Sequence, residues 1–171
     1  ENGLTGWTST VEDGLDDDFP GSCMQAWKPL EDSSTICCCV DNIVPTEGAS
    51  ASFTSFDGQA GTKYILEQSF IATSRGNAIL SFDWVAEFNL NTADIDRSFE
   101  VGIFDTNGNL IETIYTESIT AGETTSINSS LSFDISSILS LLDGEEVVLK
   151  FTATIPENLS GSSKAMLDDV S

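Results

Sequence analysis

Residues 147–155 read VVLKFTATI, and every second position, Val147, Leu149, Phe151, Ala153 and Ile155, is apolar. Side chains of an extended chain alternate between two faces, so this spacing predicts a strand with one face in a core and one in water. The same period recurs along the chain and limits the fold more than any other feature. Residues 77–88 place Ala78, Leu80, Phe82, Trp84, Ala86 and Phe88 on one side. Residues 63–71 align Tyr64, Leu66, Gln68 and Phe70, with Ile65 and Ile71 opposite. Residues 34–44, 49–56 and 126–135 give further strands of β-branched and apolar composition. A hairpin joins residues 98–104 to 110–115 through DTNGN, where Asn107-Gly108 accepts the positive φ of a tight turn.

One segment breaks the period of two. Residues 135–142, ISSILSLL, predict a short helical turn, capped by Asp134 or Ser136 and ended by Asp143-Gly144. Pro156 closes the strand before a polar loop at residues 158–163. About nine or ten short strands with one brief helix predict an all-β sandwich of two antiparallel sheets, and no βαβ unit is present. At 171 residues, with 40% hydrophobic composition, the chain is expected to form one domain with its own core, residues 1–171.

Charge narrows the partners. The sequence holds 28 acidic and 6 basic residues and no histidine, a formal charge of -22. Such a chain repels nucleic-acid phosphates and anionic membrane surfaces. No apolar run approaches the roughly 20 residues of a membrane helix, so no membrane insertion is expected. Without histidine there is no Ser-His or Cys-His dyad, and no G-x-S-x-G elbow occurs, so the chain is not read as an enzyme. The sequence begins on Glu1-Asn2-Gly3 with no signal peptide, which suggests a mature domain cut from a longer secreted or cell-surface protein. Asn128-Ser129-Ser130 and Asn158-Leu159-Ser160 match the acceptor pattern for N-glycosylation.

Cys23 and the run Cys37-Cys38-Cys39 lack the spacing of zinc or iron–sulfur sites. A bridge from Cys23 to one of the three fits a secreted chain, and buried free thiols are the alternative.

The final strand, AMLDDV, sets Asp168-Asp169 into an apolar context, so alternation turns one carboxylate inward. A buried carboxylate needs a partner. That partner is a backbone donor cluster, a Lys or Arg, or a metal; so few basic residues add weight to an oxygen-loving cation such as Ca²⁺, and a surface or capping role for the pair is the alternative. The acidic run at residues 12–18 offers Asp13 and Asp16 as contributors to the same site, and the turn Asp57-Gly58 offers Asp57.

Three stretches carry a family resemblance: the opening ENGLTGW, the strand–turn–strand LSFDISSILSLLDGEEVVLKF at residues 131–151, and the closing AMLDDV. They resemble a jelly-roll domain of the carbohydrate-binding or galactose-binding-like type found in secreted bacterial proteins. The resemblance implies a jelly-roll β-sandwich, and a structural calcium ion shared by Asp168 and Glu1. It also implies an accessory, non-catalytic role in binding extracellular polysaccharide or surface glycan. Aromatic faces stack on pyranose rings, and Trp27, expected next to a loop, and Tyr64, after the GTK loop, are the candidate platforms. Trp84 and Trp7 are read as packing residues. In outline the chain also resembles adhesion domains of the MAM type, which share an opening Glu and Gly-Trp phrase. Their separated cysteine pairs differ from the Cys37-Cys38-Cys39 run. That alternative implies another extracellular protein as partner, in a protein–protein or cell-surface adhesion role or a purely structural one.

Overall fold

The computed structural model describes residues 5–12, 25–30, 50–55, 62–74, 76–89, 94–156 and 163–171. Within them ten strands form two five-stranded antiparallel sheets in a jelly-roll arrangement. In chain order these are β1 (Thr8–Glu12), β2 (Gln25–Leu30), β3 (Ser50–Ser55), β4 (Thr62–Ile71) and β5 (Ile79–Asn89). There follow β6 (Arg97–Asp105), β7 (Leu110–Ile119), β8 (Thr124–Asp134), the helix α1 (Ser136–Leu141), β9 (Glu146–Ile155) and β10 (Ser163–Asp168). The first sheet has the order β1-β4-β9-β6-β7 and the second β2-β3-β10-β5-β8.

Period-two patterning positions the core. On β9 the burial alternates along the whole strand, with Val147, Leu149, Phe151, Ala153 and Ile155 inward. The inward face of β5 is Leu80, Phe82, Trp84, Ala86 and Phe88, as the alternation predicts. Trp84 on β5 and Phe99 on β6 stack across the two sheets, with ring centroids 3.7 Å apart and planes 6° from parallel. Phe151 adds an edge-on contact with Phe82 at 5.2 Å, and Trp7 reaches Phe151 at 5.8 Å. The indole N–H of Trp84 has no hydrogen-bond partner among the described residues, so this side chain contributes through packing alone.

The turn between β6 and β7 is held by one carboxylate. Asp105 accepts hydrogen bonds from the Asn107 and Asn109 backbone N–H groups and from the Asn109 side chain, at 2.8–2.9 Å. Gly108 takes the positive φ that the Asn-Gly pair predicts, at 84°. The bonds to Asn109 lower the Asp105 pKa. Along the same hairpin the register shifts between Val101 and Gly102. A Cβ at Gly102 would lie 3.1 Å from the Glu112 carbonyl oxygen, the Leu110 side chain and the Phe104 ring. Only glycine lets β7 approach this closely.

β10 lies between β3 and β5, and Ala165, Met166, Leu167 and Asp168 are all buried. Both faces of this central strand are therefore covered, which explains why neither face of AMLDDV is purely polar. Asp169 leaves the strand with φ 51°, a left-handed conformation aspartate tolerates, and it is exposed. Ser171 then exchanges backbone hydrogen bonds with Ser81 on β5.

Three strands depart from the sequence reading. β1 occupies Thr8–Glu12, a stretch that reading gave to no strand. β2 spans QAWKPL, where Pro29 and a register shift between Gln25 and Lys28 obscure the alternation. β7 runs to Ile119, beyond the expected end at residue 115, because Arg97 to Val101 of β6 continue to pair with it. The strand expected at residues 34–44 lies outside the described residues.

Phe99→Ala is predicted to lower the unfolding free energy by about 3–5 kcal/mol, because a fully buried ring is lost from the inter-sheet stack. Trp84→Phe is predicted to cost less, since it also removes a buried N–H that has no partner. Gly102→Ala is predicted to cost about 1–3 kcal/mol through overpacking at the bulge. Urea titration of the three variants measures each value.

Candidate functional site

β7 and β8 are the neighbouring edges of the two sheets, and α1 follows β8 directly. Edge strands keep one row of backbone groups and one partly open side, so the interior of a sandwich is least covered there. Here the gap is closed by partly buried residues, Tyr115 on β7 and Phe133 on β8, whose rings sit 5.7 Å apart. Phe133 also stacks on Phe82 at 6.0 Å, tying this closure to the core.

Outside that closure runs an open groove of about 590 Å³, within the range of small-ligand sites. Glu112, Thr113 and Ile114 of β7 form one wall, and Ser132, Phe133 and Asp134 of β8 form the other. Ile135 and the α1 residues Ser137, Ile138 and Leu141 complete it. The apolar part is Ile114, Phe133, Ile135, Ile138 and Leu141. Around it stand three hydroxyls and two carboxylates.

α1 is fixed in place at both ends. The Ser136 backbone N–H donates to Asp134 Oδ1 at 2.9 Å, and the Ala78 N–H donates to the Ser136 hydroxyl at 2.8 Å. The N-cap position itself is Ile135, with no side-chain cap hydrogen bond, so neither Asp134 nor Ser136 is the cap the sequence predicts. Hydrogen bonds from Ser136 lower the Asp134 pKa, so this carboxylate is ionised at neutral pH. At the far end Gly144, with φ 84°, donates to the Ala72 carbonyl at 2.9 Å, and Asp143 Oδ1 accepts from the Ser74 N–H at 2.8 Å. Six residues make a helix too short to persist alone. These contacts anchor it to the end of β4 and the start of β5.

The polar groups of the groove are largely uncommitted. The hydroxyls of Thr113, Ser132 and Ser137 and the Glu112 carboxylate make no hydrogen bond or ion pair among the described residues. Below the groove, Tyr115 donates a hydrogen bond to Glu117. Its pKa is pushed up to about 12, first by burial and then by that carboxylate.

The residues singled out in the sequence fall elsewhere. Trp27 is 2% exposed and donates its indole N–H to the Tyr64 carbonyl at 3.1 Å; Tyr64 is 3% exposed. Neither ring offers an open platform. Asp168 is inward and 3% exposed, as expected, and accepts from the Asp169 N–H at 3.1 Å. Glu1, Asp13, Asp16 and Asp57, with Cys23, Cys37, Cys38 and Cys39, lie outside the described residues.

The structural calcium ion is overturned. No group of three or more His, Cys, Asp or Glu side chains placed to hold a metal occurs among the described residues. Among the described residues the register sets Asp83 opposite Asp168, a pair of carboxylates and not a cluster of three. No helix among the described residues is long and apolar enough to cross a membrane.

The groove residues escaped the sequence reading. Glu112, Thr113 and Ser132 look like ordinary solvent-facing strand positions, and ISSILSLL looks like packing. Only the pairing of edges from different sheets brings them together.

No protein-family model and no curated protein matches the sequence. Solved structures do match the fold. A carbohydrate-binding module of the CBM28 type, described as specific for non-crystalline cellulose, is 14% identical with a TM-score of 0.52. That match covers 99% of this chain and 88% of the other. The CBM27-1 module of Caldicellulosiruptor saccharolyticus, solved with mannohexaose, is 12% identical with a TM-score of 0.50, over 98% of this chain and 90% of the other. The enzymatically active domain of tailspike protein 4 of bacteriophage CBA120 is 11% identical with a TM-score of 0.44, and the chain spans 20% of its length. At these identities the likeness is one of fold.

Asp134 contributes a pH signature. Its pKa is lower folded than unfolded, so the stability it adds is complete above the unfolded carboxylate value near 3.8. That contribution is lost as pH falls through the folded value. Asp134→Ala is therefore predicted to lower the melting temperature at pH 7, with the difference shrinking as pH falls below about 4. Thermal melts of both proteins between neutral and acid pH check it.

Proposed function

We propose that this chain is a non-catalytic, extracellular carbohydrate-binding domain that takes a segment of polysaccharide or surface glycan in the groove between β7, β8 and α1. One observation carries the reading. The groove sets three uncommitted hydroxyls, the uncommitted Glu112 carboxylate and Asp134, which Ser136 hydrogen-bonds, around an apolar wall, the two kinds of surface that a pyranose ring presents in return. Thr113, Ser132 and Ser137 exchange hydrogen bonds with sugar hydroxyls, Glu112 and Asp134 accept them, and Ile114, Phe133 and Ile138 meet the C–H face. The pre-formed walls lose little conformational freedom on binding. Fold likeness to modules described as binding non-crystalline cellulose and mannohexaose supports the class of ligand.

The site lies away from Trp27 and Tyr64, whose rings pack in the core. A second reading, protein–protein or cell-surface adhesion, draws on the apolar exposure near the groove: Leu141 is 88% exposed and Leu110 55%. Those side chains would anchor a protein partner.

Calorimetric titration with cellohexaose and mannohexaose tests the proposal. At least one is expected to bind saturably, and Ser132→Ala is expected to weaken it roughly three- to tenfold, the worth of one neutral hydrogen bond. Absence of binding by both, together with no response to the substitution, transfers the groove to the adhesion reading.

A further inference from the structure

We propose that the same groove selects glycans by charge, preferring oligosaccharides that carry protonated amino groups over neutral ones and excluding uronic acids. This rests on the carbohydrate reading of the groove and adds the chemistry that decides among sugars.

Among the described residues the lining holds two carboxylates and no basic side chain. They come from different walls, Glu112 from β7 and Asp134 from β8, so a ligand lying along the groove meets acceptors on both flanks. Both are exposed. Glu112 has no ion-pair partner among the described residues. Asp134 stays ionised because Ser136 hydrogen-bonds its charged form. The six basic residues of the whole chain add little counter-charge against 28 acidic ones. The two salt bridges at β4, Lys63 with Glu12 and Lys150 with Glu67, engage their lysines on the first sheet.

A neutral sugar hydroxyl donating to a carboxylate already makes a charge-assisted bond, stronger than one to a carbonyl. An ammonium group adds to that bond the attraction between two full opposite charges. A uronate brings a third negative charge to a groove that has no cation to receive it. The apolar wall of Ile114, Phe133 and Ile138 lowers the local polarity on one side and strengthens both effects.

Three hexasaccharides test the inference on the full chain: a glucosamine hexamer at a pH where its amines are protonated, mannohexaose, and a galacturonate hexamer. Calorimetry at low salt is expected to rank them in that order, with glucosamine favoured over mannohexaose roughly three- to tenfold and galacturonate unbound. The preference is expected to shrink as ionic strength approaches 0.15 M, where the screening length is about 8 Å. Glu112→Gln is expected to lower the glucosamine-to-mannohexaose ratio. Glu12→Gln, on β1 at the opposite edge of the same sheet, changes net charge identically and is expected to leave the ratio as it is. Equal loss in both variants would assign the preference to net charge and overturn the inference. Equal or weaker binding of glucosamine would also overturn it while leaving the carbohydrate reading in place. No binding by any of the three would overturn both.

Discussion

Among the described residues the two sheets share no backbone–backbone hydrogen bond, so side chains must hold them together, and here an aromatic layer does most of it. Trp84 lies flat on Phe99, Phe82 meets Phe151 edge-on, and Phe133 and Tyr115 extend the layer to the β7–β8 side. These rings come from β5, β6, β9, β8 and β7, so the layer touches both sheets at once. Large flat groups remove the most apolar surface from water for each residue ordered. The separation of the sheets, and so the width of the groove outside Tyr115 and Phe133, follows from this layer.

The groove is a by-product of how a sandwich ends. Its walls are edges, one from each sheet, and its cap is a helix of six residues that the Ala72, Ala78 and Ser74 backbones hold. At the Gly102 bulge the Glu112 backbone of β7 lies close to β6, within 3.1 Å of where a Cβ would sit. None of these supports needs a cation. The electrostatic character of the site is accordingly that of its own carboxylates, with no basic side chain lining the groove among the described residues.

Most of the fold was legible because burial imposes a period of two. Leu80 to Phe88 and Val147 to Ile155 alternate without exception, and Asn107-Gly108 and Asp143-Gly144 mark turns by their backbone requirements. β2 was illegible because a proline and a register shift break its pattern. The site was far less legible. Trp27 invited a reading as an exposed platform because aromatic chemistry suits sugars, but its indole N–H is satisfied inside by the Tyr64 carbonyl. Chemical type in a sequence says nothing about which face of a bulged strand a ring takes. The same limit applied to Asp168: its inward direction was correct, whereas the cation inferred to compensate it was not, because a buried carboxylate accepts backbone N–H groups as readily as a metal. Glu112 and Ser132 meet across a gap that only the sheet order creates.

The most direct test of a glycan site at the β7–β8 edge is amide chemical-shift mapping during titration with mannohexaose. Saturable shifts are predicted for Thr113, Ser132, Ser137 and Ile138, with Trp27 and Tyr64 unmoved. Saturable shifts confined to residues outside the groove, or none at any ligand concentration, would contradict the account.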